Sequence, residues 1–253
     1  MRNILIIARR DLRAHFNSPV AYVVLGGTML LLGYLFFIAP HMAVSGTSVG
    51  GFWEIDRATM DQMFTYLPVL MSLFVIPAVT MRSLAAEKGS GTLELLITMP
   101  VKDSEVILGK YLAACGMVLV LLAATLLYPI AMFKWPWQLG SLDWGPVFSG
   151  YLGCLFLGGA AVGVGLMFSS LTESDVVAFF LTTGTFAILY ALGWLASTVH
   201  GTFGDAVDFI SFQARYQSFA RGLIDTRALI YFASVTVVCL LVSFRSLESR
   251  RWS

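Results

Sequence analysis

The residues that most often carry catalysis are few in this chain and too scattered to act together. His15, His41 and His200 stand far apart, and no HExxH or GxSxG occurs that would present a zinc pair or a nucleophile elbow. Gly109-Lys110 is followed by Tyr111, and no glycine stands upstream where a phosphate-cradling GxxxxGKS or GxxxxGKT loop needs one. Gly89-Ser90-Gly91 does not open a GxGxxG, because Glu94 fills the last place. Cys115, Cys154 and Cys239 all lie inside apolar runs without CxxC spacing, which reads as small core residues rather than metal ligands or a disulfide framework. The chain is therefore read as non-catalytic and as binding no metal or cofactor of its own.

The pattern that remains is one for docking. Arg82–Lys110, RSLAAEKGSGTLELLITMPVKDSEVILGK, is a polar island between two long apolar runs. Leu93, Leu95, Leu96 and Met99 form a short apolar ridge flanked by Glu87, Lys88 and Glu94. Pro100, which lacks an N–H and clashes backward, stops the helix. Gly89 and Gly91 allow a tight bend before it. Residues alone leave two readings open: a ridge that enters a groove on a partner, or an interfacial helix lying against its own bundle.

Composition sets these residues in a membrane. Hydrophobic residues make up 58% of the chain and charged ones 12%, against roughly 25% charged in soluble domains. The net charge of +1 gives no basic field for nucleic acid. Six segments reach the length of about 20 apolar residues that a spanning helix needs: roughly 20–39, 64–81, 106–132, 146–169, 176–198 and 228–244. The expected fold is all-α and polytopic. Eleven Lys and Arg, among them Arg9, Arg10, Arg13, Arg82, Lys88, Lys102, Lys110 and Arg245, fall on one side of these spans, and five fall on the other. The positive-inside rule makes the first side cytoplasmic, with both termini inside. Trp53, Trp135, Trp137 and Trp144 fall in the opposite loops, where aromatic belts form.

Residues 1–18 read as an amphipathic interfacial helix, with Leu5, Ala8, Leu12 and Phe16 on one face and Arg9, Arg10 and Arg13 on another. Ile6 falls on the wrong face, and a plain cationic anchor is the alternative. Within the spans ionisable side chains are almost absent; Lys110 lies one turn inside, where it is expected to snorkel to the interface. Ion-coupled carriers need intramembrane carboxylates or broken helices, so any transport here draws its energy from outside the membrane domain.

Two more segments carry pattern. In the outer segment 199–227, Phe209, Phe212, Tyr216, Phe219 and Leu223 recur at helical spacing, and Arg221, Asp225 and Arg227 close the stretch at the membrane surface. It is too short to cross twice, so it reads as a re-entrant pair or an outer amphipathic helix. In the fourth span Gly159 and Gly163 make a GxxxG, a close-packing signal within the bundle or across a dimer. The short loop Ser170–Asp175 is acidic, and Ser174 or Asp175 suits an N-cap.

The island's wording, EKGSGTLELLITMP followed by EVILGK, resembles the first cytoplasmic loop of ABC-2-type permeases, the membrane halves of ATP-binding-cassette exporters. ARRDLRAHFNSPVAYVV and SFARGLIDTRALIYF resemble the gliding-motility-like group of that family. The family's loop often opens with a run of acidic residues, whereas here Ala85 and Ala86 precede a single Glu87. The resemblance implies that 82–105 holds a coupling helix, with Glu87, Gly91, Thr92, Leu93, Glu94, Leu95, Leu96 and Pro100 serving contact with an ATPase. It implies an elbow helix at 1–18 and a re-entrant segment at 199–227 that caps an exit path. Two permease subunits, identical or homologous, would form the path, with ATP and magnesium bound by separate ATPase subunits and an outer-side auxiliary protein allowed. The expected location is the bacterial inner membrane. A membrane anchor or force-transmitting platform docked to an ATPase is the alternative.

Overall fold

The computed structural model of the chain describes residues 2–37, 42–44, 47–49, 60–91, 102–133, 144–198 and 211–249. The described helices, in chain order, are α1 (Arg2–Asn17), α2 (Pro19–Phe37), α3 (Asp61–Leu70), α4 (Ile76–Gly89), α5 (Asp103–Thr125), α6 (Leu127–Phe133), α7 (Trp144–Leu171), α8 (Asp175–Thr198), α9 (Phe212–Ala220) and α10 (Thr226–Ser249). A π-helical turn, Met71–Val75, joins α3 to α4 without a break. Between α2 and α3 lies a two-stranded antiparallel hairpin, β1 (Met42–Val44) and β2 (Thr47–Val49), with Met42 opposite Val49 and Val44 opposite Thr47. Apart from that hairpin, which the sequence did not suggest, the described regular structure is helical.

Among the described residues, six helices are long and apolar enough to cross a membrane: Pro19–Phe37, Gln62–Gly89, Asp103–Ala131, Trp144–Leu171, Asp175–Trp194 and Thr226–Glu248. The chain is a multi-pass, all-α membrane protein. Several of these helices outrun the apolar segments that announced them. Backbone hydrogen bonding inside a helix continues past the last apolar side chain until a cap stops it. Span two therefore runs on through Arg82–Gly89, and the first third of the polar island is helix rather than loop.

The spans fall into two classes. Spans two, three and four are 67%, 56% and 67% buried within the chain, whereas spans one, five and six are 22%, 17% and 22% buried. The first three make a core and the others lie around it. The fourth span, α7, is the hub and touches α4, α5, α8, α9 and α10. Its small residues permit this, since helices in lipid associate by close approach rather than by hydrophobic drive. A Cβ added at Gly150 would stand 2.8 Å from the Phe64 ring, and one at Gly153 would stand 2.6 Å from Phe219 Cβ.

Candidate functional site

The densest polar cluster joins α1, α4 and α5 at one end of the bundle. Lys110, two turns into α5, points its Nζ at Glu87 Oε1 of α4 (2.7 Å) and Asp11 Oδ2 of α1 (3.4 Å). Arg10 completes the knot, with Nε 2.8 Å from Asp11 Oδ1 and a guanidinium nitrogen 3.9 Å from Glu87. The Lys110 side chain is only 3% exposed. It does not snorkel outward as the sequence suggested. A desolvated ammonium is stable only with paired acceptors, and here two carboxylates from two other helices meet it.

Close packing places those carboxylates. A Cβ at Gly109 would stand 2.7 Å from Ile7 Cγ2, and one at Gly116 would stand 3.1 Å from Leu12 Cδ1. α1 thus lies along a seven-residue glycine repeat on α5, which sets Asp11 beside Lys110. The face it presents to α5 is Ile4, Ile7 and Leu12, while Leu5 of the membrane-facing stripe is 66% exposed within the chain. Arg9 and Arg13 are exposed on the helix's outer side. His15 also packs into this cluster. Burial depresses its pKa below the ordinary 6.5, with Asp11 opposing and Lys110 assisting.

A second junction ties α4 to α7, α8 and α10. Lys88 donates to the carbonyl of Ser170, which also accepts from Ser246 Oγ at 2.8 Å. Ser169 Oγ lies 3.0 Å from the Leu84 and Ala85 amides and 3.1 Å from the Met81 carbonyl. Arg82 reaches Asp175 Oδ2 at 3.4 Å. α8 starts at Asp175, and the carbonyl of Ser174 just before it accepts from Ala178 N at 3.0 Å.

These contacts fix the helix ends, or feet, on either side of residues 92–101. On the first foot, Ser90 N bonds Ala86 O and Gly91 N bonds Lys88 O. Gly91 takes φ +70°, the left-handed conformation that ends a helix most readily as glycine. On the second foot, Glu105 Oε2 accepts from Lys102 N at 3.5 Å and from Asn3 Nδ2 of α1 at 3.1 Å. Thr92, Leu93, Glu94, Leu95, Leu96 and Pro100 lie outside the described residues. Of the residues assigned to this loop, the structure brings Glu87 into the knot and Gly91 to the cap.

The π turn in span two lies deeper. Ile76 N bonds Met71 O, one residue farther than in an α-helix. Pro77 has no N–H, so the Leu73 carbonyl loses its helical donor; Thr183 Oγ1 of α8 donates to it instead at 3.3 Å. Ser72 Oγ donates to Pro68 O at 2.7 Å and shares a 3.0 Å bond with the Tyr190 hydroxyl. Since serine has one hydroxyl proton, Tyr190 supplies the proton of the second bond. Thr183 and Tyr190 are seven residues apart, on one face of α8. Sequence reading missed this element, although Pro68 and Pro77 bracketing Ser72 were a visible signal.

At the opposite end, α9 stacks on α7. Ser211 caps it, its hydroxyl accepting from Ala214 N at 3.3 Å, and Gly222 ends it at φ +89°. Phe212, Tyr216 and Phe219 of the stripe are buried, whereas Leu223, beyond the helix end at Ala220, is 66% exposed. Ser149 Oγ donates to Phe219 O at 2.8 Å, and the Tyr216 hydroxyl sits 3.2 Å from Cys154 Sγ. Phe212 meets Phe186, Tyr231 and Phe232 edge-on. Asp225 accepts from Arg227 N at 2.9 Å and so starts α10, while the side chains of Arg221 and Arg227 are exposed. Residues 199–210 of this segment lie outside the described residues. In the GxxxG, a Cβ at Gly159 would stand 3.0 Å from the Tyr111 hydroxyl, and one at Gly163 would stand 3.5 Å from Thr236 Cα, both within this chain.

Among the described residues, no group of three or more His, Cys, Asp or Glu is placed to hold a metal. A family model described as ABC-2 family transporter protein matches residues 54–245. No curated protein matches the chain.

Proposed function

The chain belongs to the ABC-2 transporter family, as a membrane permease of an ATP-binding-cassette system, and from that premise we propose that it couples ATP hydrolysis on separate ATPase subunits to export. The observation that carries this reading is the anchoring of the docking loop's feet. Glu87 and Lys110 join α4 to α5 beside the loop, Asp11 and Asn3 join α5 to α1, and Arg10 of α1 stands 3.9 Å from Glu87 of α4. A push delivered to residues 92–101 therefore moves α1, α4 and α5 together rather than being lost in slack chain. The π turn next to α4 is where span two can absorb such a displacement, because its Leu73 carbonyl is held by Thr183 of α8 instead of its own backbone and its Ser72 hydroxyl is held by Tyr190 of α8.

In this reading Leu93, Leu95 and Leu96 enter a groove on the ATPase, and Glu94 meets a basic group there. ATP and magnesium are bound by the ATPase. Two permeases, identical or homologous, enclose the path, and α9 with the segment before it caps the exit. The elbow, the loop and both termini face the cytoplasm, as the excess of Lys and Arg on that side supports. The location is the bacterial inner membrane, and the subgroup is the gliding-motility-like one, whose members permit an auxiliary subunit on the outer side.

The test is co-purification of the detergent-solubilised chain with the ABC ATPase of its own system. Wild type is expected to retain the ATPase, and Leu93→Asp/Leu96→Asp is expected to lose it. Lys110→Met is expected to retain it while ATP-driven transport falls. Absence of any retained ATPase in every nucleotide state would remove the exporter reading. Retention without transport of any solute would make the chain a force-transmitting platform.

A further inference from the structure

A cleft of about 230 Å³ lies between α1, the first half of α2, α4 and α5. It exists because α2 packs on α3 and the π turn but barely meets α4. Its composition changes along its length. At the mouth stand Asp11, His15, Arg82, Ser83 and Glu87; deeper, the walls are Val24, Leu25, Val75, Ala78 and Met117. Along span two the lining runs from Glu87 on α4 to Val75 at the end of the π turn, twelve residues, or about 18 Å of helix. That matches the depth of one leaflet, half of a hydrocarbon core about 30 Å thick.

A cleft one leaflet deep, polar at the interface and dry toward the midplane, has the shape of an amphiphile. A polar solute would gain nothing from the deep walls, and a plain hydrocarbon would leave the mouth without a partner. We propose that the cleft is a binding site for one phospholipid of the adjacent leaflet, a phosphoethanolamine lipid with one acyl chain between α2 and α4.

The mouth argues for that headgroup. Its lining carries both signs in balance: Lys110 and Arg82 against Asp11 and Glu87. Burial keeps His15 from adding a positive charge. A net-anionic headgroup would leave surplus charge in such a mouth, while a zwitterion complements it. The phosphate meets Arg82, whose side chain is 59% exposed and whose planar fork suits phosphate oxygens, beside the Ser83 and Ser18 hydroxyls. The ammonium turns toward Asp11 and Glu87. This inference needs only that the chain spans a membrane and is independent of the ATPase reading.

Native mass spectrometry of the full chain, delipidated and then titrated with phosphatidylethanolamine or phosphatidylglycerol, tests it. The expected result is one saturable phosphatidylethanolamine per chain, with affinity reduced about tenfold in Arg82→Gln by loss of the charge-assisted bond. Ala78→Phe, which fills the chain slot, abolishes the site. Phe148→Ala, in a separate apolar groove between α5 and α7, leaves it intact. Absence of a saturable adduct would overturn the proposal. So would equal affinity for phosphatidylglycerol, or retention in Arg82→Gln of full affinity. The exposed Arg82 variant decides even where Ala78→Phe melts below wild type.

Discussion

The two ends of this bundle are held by different chemistry. At the α1 end, separate helices meet through charge: Lys110 with Glu87 and Asp11, Arg82 with Asp175, Lys88 with the Ser170 carbonyl. At the α9 end they meet through rings and neutral hydrogen bonds: Phe212 among Phe186, Tyr231 and Phe232, and Tyr216 against Cys154 and the Gly150 carbonyl. Aromatic packing is short-ranged and dense, so it holds one arrangement and resists small displacement. Ion pairs fall off slowly with distance and exchange partners, so they tolerate it. In the proposed coupling cycle the α1 end is the one that moves and the α9 end the one that holds.

The strongest way to break that comparison is Gly153→Leu on α7. The new side chain must occupy the place of Phe219, whose Cβ and Cγ lie within 2.7 Å of an added Cβ and cannot rotate away. A loss of about 3 kcal/mol is expected, the upper part of the usual range for overpacking. It should appear as a lower melting temperature in nanodiscs and as increased protease access to residues 211–223. Gly163→Ala is the matched control, since its Cβ would have 3.5 Å of clearance and should be tolerated. If Gly153→Leu melts with wild type, α9 is not fixed to α7.

Next in size is Lys110→Met. It strips a cation from two carboxylates that are 26% and 16% exposed. Breaking a fully buried pair costs about 3–5 kcal/mol, and the partial exposure of these partners lowers the expectation to about 2 kcal/mol. Glu87→Gln in the same chain should restore most of that loss, because the uncompensated charge and not the missing attraction is the larger cost. Melting of the two single variants and the double variant gives the coupling directly. A purely additive double variant would deny that the knot acts as a unit.

How much of this was legible depended on how far apart in sequence the partners lie. Spans were legible because length and apolarity are local properties. The α9 stripe was legible because Phe212, Tyr216 and Phe219 announce themselves within two turns. The knot was not, since Lys110 and Asp11 are 99 residues apart and a lone lysine near a span end reads as snorkelling. The residues by which α1 meets α5 were not legible for the same reason: Leu5 and Ile7 are equally apolar, and only the glycine track on α5 chooses Ile7. Glu87 was assigned to the docking loop from its place in the island, whereas its helix continues from span two and turns its carboxylate toward Lys110.

A smaller effect on stability, with a larger one expected on transport, comes from Tyr190→Phe. It removes one hydroxyl from the Ser72 side of the π turn, where hydrogen bonds between membrane helices average about 0.6 kcal/mol. The melting temperature should hardly change. If span two bends there during the cycle, the ratio of solute moved to ATP hydrolysed should fall, because the turn loses a contact that selects one of its states. Unchanged coupling would leave the π turn a static repair of the two prolines.

The smallest effect sharpens the comparison by pH. His15 is the titrating group of the α1 end whose pKa falls below its ordinary 6.5, by burial first, with Lys110 helping and Asp11 opposing. A histidine depressed in the folded state binds its proton more readily when unfolded, so folding is favoured most above 6.5 and loses free energy as pH falls toward the folded value. Between pH 7.5 and 5.5, where ordinary carboxylates remain ionised, the wild type should lose stability, and His15→Gln should lose less. The charged groups of α1 and α5 that act on His15 are Asp11 and Lys110. The α9 end has no histidine among its described residues, so proteolysis of 211–223 should be flat over the same range. A pH dependence that survives His15→Gln, or that appears equally at α9, would mean that the two ends do not melt by separate chemistry.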